Sequence, residues 1–205
     1  MTGGLVRASE ADIARLRADR SSLPRYIDGE AWAPPVRRVQ PKGVLGWLLK
    51  LTPITIEEVD PDAVPPPGAT LVNSDAHLDL DKAWLPLHFL LTGTAWEGEE
   101  PACYLVKGGE ELADEDDDLG YSSIRALSPH QVRRFSEFLR PLTHDALRQR
   151  FDIERMVALE IYRVSRGRAV SQDVEMPYLL DAFDALKSFT SRTAEGNDGA
   201  IAFLT

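Results

Sequence analysis

The run Asp75-Ala76-His77-Leu78-Asp79-Leu80-Asp81 alternates ligand-type side chains with small or apolar ones. On an extended strand successive side chains point to opposite faces, so Asp75, His77, Asp79 and Asp81 would share one side, as a divalent cation requires. The same aspartates are explained if Asp79 or Asp81 caps the helix that follows while His77 lies in a loop. We expect that second arrangement and no metal. A further acidic run, Asp114-Glu115-Asp116-Asp117-Asp118, resembles a calcium loop only in passing. With Asp114, Asp116 and Asp118 as the first three ligands, Leu119 stands where glycine is wanted and Arg125 where the bidentate glutamate belongs. Such a block repels itself and stays solvated unless a cation or a basic partner relieves it.

Acid–base chemistry is carried by fewer residues. His88 lies one helical turn beyond Trp84, and Glu160 stands four residues after Met156 and four before Val164, so each projects from or beside an apolar stripe. Buried ionisable groups cost free energy unless paired, and they cluster at functional sites. If His88 and Glu160 faced a common cleft with Tyr121, general acid and base chemistry would be arguable. A hydrogen-bonded core histidine and a carboxylate that holds a neighbouring loop are the alternatives. Nucleophilic catalysis has no support: there is no Gly-x-Ser-x-Gly elbow, and Cys103 falls in an expected strand interior. Gly108-Gly109 precedes acids that would repel a phosphate, and His144-Asp145 lacks the further ligands of a dinuclear site. No cofactor is expected.

The elements that must position these residues begin with a short strand at Leu5 and Val6. A helix follows, capped by Ser9 with Asp12 three residues later and Ile13 and Leu16 on one face. Between Asp28 and Gly68 lie eight prolines, Pro34, Pro35, Pro41, Pro53, Pro61, Pro65, Pro66 and Pro67, which makes that segment irregular. Inside it Val44, Leu45, Trp47, Leu48, Leu49 and Leu51 form either a short buried helix or an exposed docking patch. From Leu78 the pattern reads as helical, with Leu80, Trp84, Leu87 and Leu91 in phase and Gly93 as the stop. Pro86 means that the helix is kinked, or that regular structure starts only near Trp84. Ala102 to Val106 reads as a strand, followed by a turn at Lys107-Gly108-Gly109. An extended piece through Ile124 and Leu127 leads to Ser128-Pro129-His130-Gln131, a capping box with proline at the first helical position. Further helices start at Thr143 and Asp152, a last one carries Leu179, Phe183 and Leu186, and Ala200 to Leu204 closes as a strand. The expected fold is α+β, a small sheet packed against a larger helical layer, in a single domain over 1–205 with an insertion or diverged segment at about 28–68.

Composition narrows the function. The 205 residues are 43% hydrophobic and 27% charged, enough for a chain of this size to bury roughly 70% of its unfolded surface. The formal charge of −10 argues against a nucleic-acid partner, whose phosphates call for a basic face. No apolar run approaches the roughly 20 residues that cross a bilayer, and the single cysteine fits a reducing compartment. We therefore expect a cytoplasmic protein without a membrane partner.

A family resemblance adds to this. Leu78-Asp79-Leu80-Asp81-Lys82-Ala83-Trp84, continuing into Leu87-His88-Phe89-Leu90-Leu91-Thr92-Gly93, resembles the YfbM-like bacterial family, a domain of unknown function. Gly108-Gly109, Leu119-Gly120-Tyr121, Arg125-x-Leu127-x-Pro129, Glu160-Ile161-Tyr162 and the closing Ala200-Ile201-Ala202-Phe203-Leu204 follow in the family's order, and Leu16-Arg17-Ala18-Asp19 also fits. Pro86 departs from the pattern. The resemblance implies a compact, soluble α+β protein of the bacterial cytoplasm and brings no reaction with it. It directs attention to Asp79, Asp81, Trp84, His88, Tyr121 and Glu160, none with an assigned role. Two functions then compete. One is a non-catalytic module, inhibitor- or immunity-like, whose acidic surface including Asp114, Glu115, Asp116, Asp117 and Asp118 meets a basic protein. The other is an enzyme or small-molecule binder with a cleft around His88, Tyr121 and Glu160.

Overall fold

The two ends of the chain meet in the middle of a sheet. β1 (Gly3–Ala8) and β7 (Gly199–Leu204) pair antiparallel along their whole length, Gly3 opposite Leu204 and Ala8 opposite Gly199. The computed structural model describes residues 1–28, 36–39, 56–59, 76–161 and 172–205. These fall in two compact units, Met1–Gly29 with Asn73–Thr205, and Glu30–Val72. In the second unit β2 (Val36–Val39) and β3 (Ile56–Val59) pair antiparallel, with Arg37 opposite Glu58 and Arg38 opposite Glu57. The apolar run Val44 to Leu51 lies outside the described residues, as do Asp75 and Tyr162.

In the first unit β4 (His77–Asp79), β5 (Glu110–Asp114) and β6 (Ser123–Leu127) complete a five-stranded antiparallel sheet of order β4-β1-β7-β6-β5. The pleat sends alternate side chains to two cores. Leu5, Leu127, Ala200, Ala202 and Leu204 face one, while Ala8, Ile124, Ala126 and Ile201 face the other. α1 (Glu10–Ala18) and α2 (Leu23–Ile27) cover the second face with Ile13, Leu16, Leu23 and Ile27. The first face carries the larger layer: α3 (Trp84–Thr92), α4 (Pro129–Leu139), α5 (His144–Arg150), α6 (Ile153–Ala158) and α7 (Gln172–Glu195). Trp84, Tyr104, Phe135, Phe183 and Phe189 are its largest fixtures, all buried, and each contributes roughly 2–3 kcal/mol by leaving water. The protein is thus α+β, with helices on both faces of the sheet and most of them on one.

Local chemistry sets the boundaries. Ser9 with Asp12 and Ser128 with Gln131 form capping boxes at the starts of α1 and α4, each satisfying two otherwise unpaired backbone donors. α3 begins at Trp84, so Pro86 occupies the third helical position, where the backbone has no intrahelical acceptor to lose. Of the two arrangements that Pro86 allowed, regular helix starting only near Trp84 is the one found, and Leu78 is instead a buried residue of strand β4. The expected strand at Ala102 to Val106 is also corrected. There the Tyr104 N–H donates to the Pro101 carbonyl at 3.3 Å and the Val106 N–H to the Cys103 carbonyl at 3.0 Å, so the segment is a succession of turns. Cys103, Tyr104 and Leu105 are all buried, and a short apolar run of that kind carries no period to distinguish strand from turn.

Candidate functional site

His88 sits in the middle of α3 with no exposed surface. Its Nε2 lies 3.0 Å from the Glu97 carbonyl oxygen. A carbonyl only accepts, so Nε2 carries the hydrogen and Nδ1 keeps a lone pair. That Nδ1 is buried without a hydrogen-bond partner among the described residues, as is Trp84 Nε1 one turn earlier. Burial first of all pushes the imidazole pKa down from 6.5 to about 4, so His88 is neutral at physiological pH. The Trp84 ring is packed against Gly3 of β1 and tilted on Trp96 at 5.7 Å.

Tyr121 belongs to the other face of the sheet. It meets Phe203 edge-on at 5.9 Å and donates from Oη to Asp28 Oδ1 at 2.8 Å. Burial, and then the Asp28 carboxylate, push its phenol pKa well up. Glu160 closes the turn after α6, exposed, with a left-handed φ of 54°. The structure therefore does not bring His88, Tyr121 and Glu160 into one cleft. His88 is sealed in the larger helical layer, and the sheet separates that layer from Tyr121. Acid–base partners must reach one reacting atom, and these do not.

At the other end of the first motif, Asp79 Oδ1 accepts the Asp81 backbone N–H at 2.7 Å. This local loop starts the turn Asp81–Ala83 and delivers the chain into α3. Asp79 therefore supports the helix entry without being its N-cap, which is Ala83. Asp81 Oδ2 accepts from the Tyr178 hydroxyl at 3.2 Å, and His77 packs on Phe203 at 5.8 Å. Among the described residues no three histidine, cysteine or acidic side chains are placed to share a metal ion.

The acidic run is a folded object. Asp114, the last residue of β5, caps the turn Glu115–Asp117: its Oδ1 accepts the Asp116 N–H at 2.9 Å, and Asp117 Oδ2 accepts the Asp114 N–H at 3.0 Å. Arg20 stands 3.9 Å from Asp117, and Arg17 forks onto Glu110 at 2.7 and 2.5 Å. Glu111 pairs with Arg125. Glu115, Asp116 and Asp118 are exposed, and their carboxylates take part in no ion pair or hydrogen bond among the described residues. β5 is an edge strand only five residues long, and its register shifts between Glu111 and Ala113. The shift turns the neighbours Leu112 and Ala113 into the same core, and a short, charged, bulged edge resists pairing with a further strand.

Cys103 is buried, and burial followed by the Glu100 carboxylate raises its thiol pKa, which makes it an inert core residue. Beyond the residues singled out from sequence, a depression of about 390 Å³ lies at the C-terminal end of α3, lined in part by Thr92, Gly93, Gln149, Arg150, Asp152 and Arg155. Its one sequence signal is the density of arginine at Arg148, Arg150 and Arg155 in an acidic chain.

Comparison with known proteins follows the fold. The solved structure of YfbM from Escherichia coli, a protein of unknown function, matches with a TM-score of 0.62 at 18% identity, covering 100% of both chains. At that identity the likeness concerns the fold alone. No curated protein matches the sequence. The sequence model of the domain of unknown function DUF1877 matches residues 1–203, and the chain belongs to that family.

Proposed function

We propose that this protein is a non-catalytic interaction module of the bacterial cytoplasm that docks a basic protein surface through the acidic turn at the end of β5. The observation that carries this reading is the trio Glu115, Asp116 and Asp118. Their carboxylates are exposed, and unpaired among the described residues, on a turn that Asp114 and Asp117 hold in shape. A partner therefore meets three negative charges whose backbone is already fixed, so little chain entropy opposes docking. The bulged edge of β5 disfavours strand addition, which leaves side-chain charge as the recognition element. No helix among the described residues is long and apolar enough to cross a membrane.

The test is affinity capture from bacterial lysate with the native protein and with Glu115→Gln/Asp116→Asn/Asp118→Asn, each at low and high salt, with retained proteins identified by mass spectrometry. The reading predicts a basic protein held by the native chain, released by salt and absent from the triple variant. Equal retention by both chains would refute it.

A further inference from the structure

The depression at the end of α3 has a built character that its position alone does not require. Arg150 Nη1 donates to the Leu90 carbonyl at 3.1 Å, so its guanidinium is tethered while most of its five donors remain unused. The Arg155 guanidinium lies over the Phe89 ring at 5.8 Å, and its Nη2 is 4.0 Å from the point where a Cβ on Gly93 would stand. Neither arginine forms an ion pair among the described residues. Elsewhere in this chain Arg7, Arg15, Arg17, Arg20, Arg125, Arg134 and Arg148 each find a carboxylate. In a chain of 33 acids against 23 bases, Arg150 and Arg155 instead line one depression together, and Asp152 is the single acid in its lining. Asp152 Oδ1 accepts the Arg155 backbone N–H at 3.0 Å, so one of its oxygens is committed to the start of α6.

We propose that this depression binds a small oxyanion, a carboxylate or phosphate group held between the Arg150 and Arg155 guanidiniums. Gln149 and Thr92 supply neutral polar groups at its wall. Planar guanidinium forks match either anion. The volume falls at the small end of ligand sites, and the two arginines are pre-positioned by Leu90 and Phe89. The site is on the helical layer, remote in sequence from the acidic turn, and stands whether or not that turn docks a partner.

The experiment is a titration of ¹⁵N-labelled protein with inorganic phosphate and, separately, with succinate, followed by amide and arginine side-chain NMR shifts. Native protein should show saturable shifts confined to residues 89–93 and 149–155, with a Kd on the order of 1 mM for at least one probe. The probe that saturates identifies the group bound. Arg155→Gln should weaken binding about tenfold, Arg155→Lys less, and Arg140→Gln, an exposed arginine outside the depression, by no more than about twofold. Unsaturated shifts with both probes, or equal weakening in Arg155→Gln and Arg140→Gln, would overturn the proposal.

Discussion

Acidification should unfold this protein partly through His88. The ring is fully buried, its Nε2–H is committed to the Glu97 carbonyl, and protonating Nδ1 places a charge where no acceptor waits. Burial holds the folded-state pKa at about 4, against an ordinary value of 6.5. The unfolded chain therefore takes up a proton between pH 6.5 and 4 that the folded chain refuses. Stability is full above pH 6.5 and falls as pH drops through that window, by about 1.4 kcal/mol per unit once below 6.5. The loss accumulates to about 2 kcal/mol at pH 5 and roughly 3 kcal/mol by pH 4. The matched variant is His88→Gln, whose side-chain amide can still donate to the Glu97 carbonyl and does not titrate. Urea unfolding at pH 7.5 and pH 5.0, followed by tryptophan fluorescence, gives the change in stability for each protein. The other histidines, His77, His130 and His144, are common to both proteins, so whatever they contribute cancels in the comparison. Native protein should lose about 2 kcal/mol more than the variant between the two pH values. Equal losses would refute the placement of a neutral His88 in the core.

Three further outcomes follow from single contacts. Gly109→Ala should cost about 3 kcal/mol in urea unfolding, because φ is +70° there and the added Cβ would stand 2.4 Å from the Ala126 carbonyl oxygen. Ser128→Ala removes the hydroxyl that accepts the Gln131 N–H at 3.3 Å and should cost about 1 kcal/mol by the same assay, with α4 fraying at its first turn in hydrogen exchange. Arg17→Ala breaks an exposed ion pair with Glu110 and should leave the urea midpoint nearly unchanged, because solvent screens such a pair.

What the sequence made readable was local. The two Ser-led capping boxes fixed α1 and α4 because their reciprocal hydrogen bonds span only three residues. The burial of His88 was implied by its place one turn after Trp84. Leu78 misled as a helical residue because strand β4 and helix α3 are separated only by the short turn Asp81–Ala83, so apolar residues from both fell into one apparent helical phase. Pro86 was the counter-signal. Contacts between distant residues left no local trace. Tyr121 reaches Asp28 across 93 residues, and that bond, with the sheet between, is what separates it from His88. The acidic run was visible, but its division into Asp114 and Asp117, which hold the turn, and Glu115, Asp116 and Asp118, which are unpaired, required the geometry. The arginine depression joins the end of α3 to α5 and α6, an assembly that no single stretch of sequence encodes.

The central claim is that exposed carboxylates at the end of β5 recognise a basic protein, and the salt dependence of association tests it most directly. With the captured partner purified, the association rate constant is measured by stopped flow over a series of ionic strengths for the native chain and for Glu115→Gln/Asp116→Asn/Asp118→Asn. Steering by exposed charge is screened within about 8 Å at physiological salt. The native rate should therefore fall steeply as salt rises, and the triple variant should start about tenfold slower at low salt with a much flatter dependence. Identical slopes and rates for the two proteins would contradict the account.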